Sequence, residues 1–249
     1  MPAGRGAIVD EGRARVSNTT APRVTAAVVD YGLGNLFSVR QACEHAGMDV
    51  VITARSDALL ASDVVILPGI GAFGDAMATL RRLDLVHVLR DIAVSDKPLI
   101  GICLGIQLLM RESHEFGIHQ GLGVIEGCVV RLAGTWKGGR GIKVPQVQWN
   151  RIFRPEDRGP QDDPWAATPL ADVADGQFMY FTHSYQVMPA DPSVTVSVSR
   201  YGDAEFCSAL RWRNVFAVQF HPERSGVPGL QVYRNVALAV VRRRGESAA

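Results

Sequence analysis

From Ala26 onward, short apolar runs alternate with longer amphipathic ones. The run "AAVVD" (26–30) is rich in small and β-branched residues and ends on the glycine-containing "YGLGN" (31–35). A helical stretch through "SVRQACEHAG" (38–47) follows and stops at Gly47. "DVVIT" (49–53) and "DVVILPG" (63–69) read as two further buried strands. "GDAMATLRRLDLVHVLRDIAVS" (74–95) places apolar residues at helical spacing, which predicts one long surface helix or a helix pair. "PLIGIC" (98–103) is the next strand, and "GIQLLMRES" (105–113) the next helix.

Continuous apolar strands separated by helices predict a parallel sheet covered on both faces. Ligands of such sheets sit beyond the carboxyl ends of the strands. After Gly117 the texture changes: 123–132, 177–187, 194–199 and 206–220 read as strands with turns between them, antiparallel in part. Residues 153–176, rich in Pro and Asp, read as an exposed loop, and 228–244 as a closing amphipathic helix. The expected architecture is a single large α/β domain over 24–249, preceded by a disordered tail over 1–23.

Composition narrows the field of functions. With 26 basic and 25 acidic side chains, no electrostatic footprint for nucleic acid or a membrane surface exists. The first 23 residues lack the apolar middle of a secretory signal. Four scattered cysteines without CxxC spacing exclude a zinc or thioredoxin motif and make a disulfide framework unexpected. These features predict a cytoplasmic protein with reduced thiols, no metal and no cofactor.

One cysteine stands apart. In "GICLG" (101–105), Cys103 lies between two glycines where a strand passes into a helix. This is the form of a nucleophile elbow, which needs glycines because the turn is tight and neighbouring backbone comes close. A helix N-terminus there favours the thiolate, and the amide of Leu104 is a natural oxyanion donor. A base is offered by His221 in "FAVQFHPERS", directly after an apolar strand, with Glu223 two residues on to orient it. His221 and Glu223 share a side if the segment is extended, as Pro222 favours. The remaining histidines have no such setting, and Cys43, Cys128 and Cys207 read as packing residues. "LPGIGAFGDAM" (67–77) adds a loop after a strand whose amides around Gly69–Gly71 can supply a second oxyanion donor. "YGLGN" is not a dinucleotide fingerprint, because Phe37 stands where its third glycine belongs.

"GICLGIQLL" and "QFHPERS" resemble the nucleophile and His/Glu signatures of the class I, triad-type glutamine amidotransferases. "DYGLGNLFSV", "PGIGAFGDAM", "HSY" (183–185) and "WN" (149–150) are similar to blocks of the glutaminase subunits of imidazole glycerol phosphate synthases. The resemblance implies a three-layer α/β/α fold, mostly parallel with a smaller antiparallel part. It implies hydrolysis of glutamine to glutamate and ammonia, with the ammonia channelled to a (β/α)₈ synthase subunit in histidine biosynthesis. It makes Cys103 the nucleophile, His221 the general base and Glu223 its orienting carboxylate. Gly69, Ile70 and Gly71 match the oxyanion loop with Leu104, and Gln107 matches a glutamine-contacting position. His183, Ser184 and Tyr185 match the wall at the substrate's amino-acid end. Pro145, Trp149 and Asn150 match a block facing the synthase. There this chain departs from the family: "PQVQWN" (145–150) stands where "PHMGWN" is usual. The departure leaves open a glutaminase that serves another synthase, such as one amidating a sugar. A stand-alone cysteine hydrolase and a non-catalytic subunit that kept the fold remain as readings of the residues alone.

Overall fold

The structure, a computed structural model, describes residues 23–156 and 163–247. The expected tail over 1–23 thus lies almost entirely outside the described residues. Its central element is a seven-stranded sheet. β1 (Thr25–Val29), β2 (Asp49–Thr53), β3 (Val64–Leu67) and β4 (Leu99–Ile102) are joined by β11 (Thr195–Tyr201), β12 (Ala204–Trp212) and β13 (Val215–Val218). The order is β11-β12-β13-β4-β3-β1-β2, and every pairing from β13 to β2 is parallel. Only β11-β12 and β12-β13 are antiparallel.

The two-residue period of the strands divides the interior into two cores. Ala26, Val28, Val64, Ile66, Ile100 and Ile102 point to one face, against α1 (Leu36–His45) and the long α6 (Gly226–Ser247). Ala27, Val29, Val65, Leu67 and Leu99 point to the other, against α2 (Ser56–Ala61), α3 (Phe73–Arg82) and α4 (Leu85–Val94). Both faces are therefore apolar, and the strands read as unbroken hydrophobic runs for that reason. Residues 74–95 resolve into a helix pair, broken at Asp84, whose φ of 57° no continuous helix accommodates.

Three expectations are corrected. The stretch 105–113 is not one helix: α5 (Leu104–Leu108) lasts five residues, and β5 (Met110–Ser113) follows. β5 pairs in parallel with β7 (Ile125–Arg131) and antiparallel with β6 (His119–Gln120). That pairing overrides the helical preference of Leu, Met, Arg and Glu. With β10 (Tyr185–Pro189) these strands form a second sheet, ordered β10-β7-β5-β6. Second, 177–187 is two strands, because β9 (Phe178–His183) leaves the path of β10 at Ser184 to pair with β8 (Gln146–Arg151). Third, the segment expected as an exposed loop at 153–176 is partly core. Trp165 and Leu170 are fully buried, and the Trp165 indole N–H donates to the Val196 carbonyl at 2.7 Å. Residues 157–162 of that segment lie outside the described residues. Among the described residues no helix is long and apolar enough to cross a membrane.

Candidate active site

Three adjacent strands, β13, β4 and β3, run parallel and so end at one edge of the sheet. The segments leaving them are His221–Ser225, Cys103–Leu104 and Pro68–Gly71. Three stretches far apart in the chain thus converge because their strands are neighbours.

At the end of β4, Cys103 takes φ 55° and ψ −104°, a conformation costly for a residue with a side chain. The turn is held by its amide, which donates to the Val218 carbonyl at 2.8 Å. The flanking glycines are demanded by space. A Cβ on Gly105 would lie 2.0 Å from the Leu67 carbonyl oxygen, and one on Gly101 would lie 2.9 Å from the Ala217 methyl. Gly105→Ala is expected to destabilise the protein by about 3 kcal/mol or more, since the obstruction is strand backbone that cannot yield. Chemical denaturation at neutral pH measures this.

His221 is buried and extended, its N–H donating to the Tyr180 carbonyl at 2.9 Å. The Ser225 hydroxyl donates to the His221 carbonyl at 2.6 Å and accepts from the Tyr180 N–H at 3.0 Å, tying the segment to β9. His221 Nδ1 lies 2.7 Å from Glu223 Oε1. The contact forms although Pro222–Arg224 is a 3₁₀ turn and not the extended segment expected, because the tight turn brings the carboxylate back under the ring. Nε2 has no conventional hydrogen-bond partner and is the nitrogen left for the sulfur. Burial works against the imidazolium, but the Cys103 sulfur and the Glu223 carboxylate outweigh it and lift His221 to about 10.

A cavity of about 390 Å³ opens over Cys103. Ile70, Gly71, Leu104 and Gln107 line it together with His183, Ser184 and Tyr185. Gly69 does not line it, but its carbonyl accepts the Leu104 N–H at 3.3 Å. The amide expected as an oxyanion donor is therefore occupied by protein. Gly69 itself is pinned: a Cβ there would lie 2.3 Å from the Tyr31 hydroxyl, which donates to the Pro68 carbonyl at 2.7 Å. "YGLGN" thus supports the loop after β3.

The expected partner block divides. Pro145 lines the cavity. Trp149 is half exposed, as is its neighbour Val147. Asn150 is tied internally, Nδ2 donating to the Arg200 carbonyl at 2.9 Å and Oδ1 accepting the Arg151 N–H. Gln146 points inward and is fully buried. His45, His87 and His114 are exposed and His119 half-buried, away from the sulfur.

Two cavity residues escaped the sequence reading. Glu115 is buried, with Oε2 accepting the Phe73 N–H at 2.6 Å, and brings a carboxyl group to the pocket. It was hidden because β5 carries the chain back to the site where a helix was expected. The Thr182 carbonyl, 3.8 Å from the sulfur, is backbone and has no sequence signature.

The family model described as glutamine amidotransferase class-I matches residues 27–239. The chain belongs to the class I glutamine amidotransferases. It is 41% identical over 210 residues to the imidazole glycerol phosphate synthase subunit HisH of Geobacter sulfurreducens, covering 84% of this chain and 96% of that one. With the subunit of the same name from Aquifex aeolicus the identity is 42% over 210 residues, covering 84% and 93%. The fold of this amidotransferase is shared with PurLQS from Thermotoga maritima, with a TM-score of 0.64 at 19% identity over 90% of this chain and 100% of that one. A further glutamine amidotransferase of known crystal structure gives 0.62 at 19% identity, over 86% and 98%.

Proposed function

We infer that this amidotransferase is the glutaminase subunit of an imidazole glycerol phosphate synthase, releasing ammonia from glutamine for histidine biosynthesis. The observation that carries the chemistry is Cys103 lining the cavity with the His221–Glu223 pair behind its sulfur. Relatives of that name, matched over most of both chains, support the assignment.

The Cys103 thiolate attacks Cδ of the glutamine side chain. His221 gives its Nε2 proton to the departing nitrogen, so that ammonia leaves and a thioester remains. His221 then takes a proton from water, the hydroxide displaces the sulfur, and glutamate is released. Glu223 holds Nδ1–H and so keeps Nε2 facing the reaction. Glu115, which lines the cavity, offers a carboxyl oxygen to the substrate α-ammonium. The wall at His183–Tyr185 meets the amino-acid end.

The ammonia acceptor is a (β/α)₈ synthase subunit docked near Trp149 and Val147. In the isolated chain the Gly69 carbonyl holds the Leu104 amide, so the oxyanion hole is unformed. Rotation of the Gly69–Ile70 peptide would free Leu104 and turn an amide toward the substrate, and Gly69, whose ψ changes in that rotation, carries no Cβ to restrict it. A partner that binds the rotated state better shifts the population toward it.

Glutamate release is to be measured for the purified chain alone and with the synthase partner plus its nucleotide substrate. Stimulation by roughly 10²-fold or more is expected, the worth of one oxyanion donor. Equal turnover in both conditions overturns the gating. Absence of any response, with Cys103 still labelled by a glutamine analogue, identifies a glutaminase for a different acceptor.

A further inference from the structure

A line of buried polar groups leads from strand β8 to the Cys103 sulfur. Gln219, fully buried at the end of β13, places its Nε2 3.9 Å from Cys103 Sγ. Its Oε1 accepts from Gln107 Nε2 at 3.1 Å. Gln107 Nε2 also donates to the Tyr185 carbonyl at 3.0 Å, so both of its amide hydrogens are used. The same carbonyl lies 2.8 Å from His183 Nδ1, and His183 Nε2 lies 3.1 Å from Gln146 Oε1.

Donor accounting gives this line a direction. Burial holds His183 down at about 4, so the ring is neutral and carries one N–H. Tyr185 offers only an acceptor, which places that hydrogen on Nδ1 and leaves Nε2 as an acceptor. Nε2 therefore needs a donor from Gln146, whose own Nε2 is otherwise buried without a partner. Turning the Gln146 amide over gives His183 Nε2 its donor and leaves Gln146 Oε1 in the position that has no partner. The Tyr185 oxygen then accepts from His183 and from Gln107. Because the Tyr185 carbonyl can only accept, Gln107 turns its nitrogen to it and gives its second N–H to Gln219 Oε1, which leaves Gln219 to present its own N–H, not its oxygen, to the sulfur.

We propose that Gln219 is a positioning residue for the nucleophile, its amide N–H holding the Cys103 sulfur in the orientation set by Gln107 and the Tyr185 carbonyl. An unconstrained glutamine could equally present its oxygen, which would repel a thiolate. Gln146 of "PQVQWN" faces inward, against His183. The inference rests on Cys103 being the nucleophile.

The test is alkylation of Cys103 in the full-length protein by iodoacetamide across a pH series, with the labelled Cys103 peptide quantified by mass spectrometry. Gln219→Leu is expected to move the labelling midpoint upward by roughly one unit, the equivalent of one lost charge-assisted hydrogen bond. Glutamine turnover by the same variant loses about tenfold in kcat with KM within about twofold. Gln219→Met keeps the length, loses the donor and adds no charge, so its midpoint rises by the same amount. It also serves if Gln219→Leu does not fold. A native labelling profile in either folded Gln219 variant, with a melting temperature within about 3 °C of the native chain, overturns the proposal. Failure of native Cys103 to label at all would instead count against its assignment as nucleophile.

Discussion

Cys103→Ala leaves a folded protein that releases glutamate from glutamine at least about 10⁴-fold more slowly than the native chain. Cys103 is the cysteine that lines the cavity, Cys43 and Cys207 are held in the cores, and Cys128 lies half-buried on β7. Cys43 and Cys207 are buried, and burial drives both thiols upward, Cys207 to about 12, so neither substitutes as a nucleophile. The folded state survives because the elbow is held by backbone: the Cys103 amide on Val218 and the glycines at 101 and 105 do not involve the sulfur. Alanine keeps the strain of the φ 55° conformation. Glycine does not. Cys103→Gly is therefore expected to be equally inactive yet to melt at or above Cys103→Ala, since relief of roughly 1–3 kcal/mol of strain outweighs glycine's backbone entropy of about 0.5–1 kcal/mol. Thermal melts beside a coupled glutamate assay decide both points. Retained hydrolysis in Cys103→Ala would remove the nucleophile assignment.

Loss of the base comes next in size. His221→Ala is expected to slow hydrolysis by roughly 10³-fold or more, and Glu223→Gln by on the order of 10². The carboxylate does no proton transfer, so its loss removes orientation and charge but leaves the imidazole. The same pair has a pH signature in stability. His221 is raised from its ordinary 6.5 to about 10 in the folded protein. Between those values the native state binds a proton that the unfolded chain does not, so stability falls as pH rises. The contribution is complete below about 6.5 and gone above about 10. Because Glu223 is one of the groups that hold that proton, Glu223→Gln flattens the decline. Melting temperatures of native and variant protein from about pH 6 to about pH 10 measure the difference. Parallel curves would show that Glu223 does not stabilise the imidazolium.

The features of this protein with local causes are legible in the linear chain. The apolar runs at 26–29, 64–67 and 99–102 had to be buried strands. Gly101 and Gly105 had to flank a strained turn, since no other residue fits that close approach. His221, Pro222 and Glu223 are near enough in the chain for their partnership to be legible, even though the backbone between them is a 3₁₀ turn and not extended. Features that depend on contacts across many residues arise only in the folded molecule. Met110–Ser113 became a strand because β7 lies beside it, and that reversal carried Glu115 into the pocket. Trp165 was drawn into the core by the Val196 carbonyl and the surrounding packing, against a polar composition that predicted exposure. Gln219 and Cys103 lie 116 positions apart, and nothing in either neighbourhood announces their hydrogen bond. The orientation of the Gly69 carbonyl is likewise invisible in "PGIG", because glycine permits several peptide orientations and only the Leu104 amide across the gap selects one. Local sterics and periodicity are written in consecutive residues, whereas the identity of a buried polar group's partner exists only once the chain has closed around it.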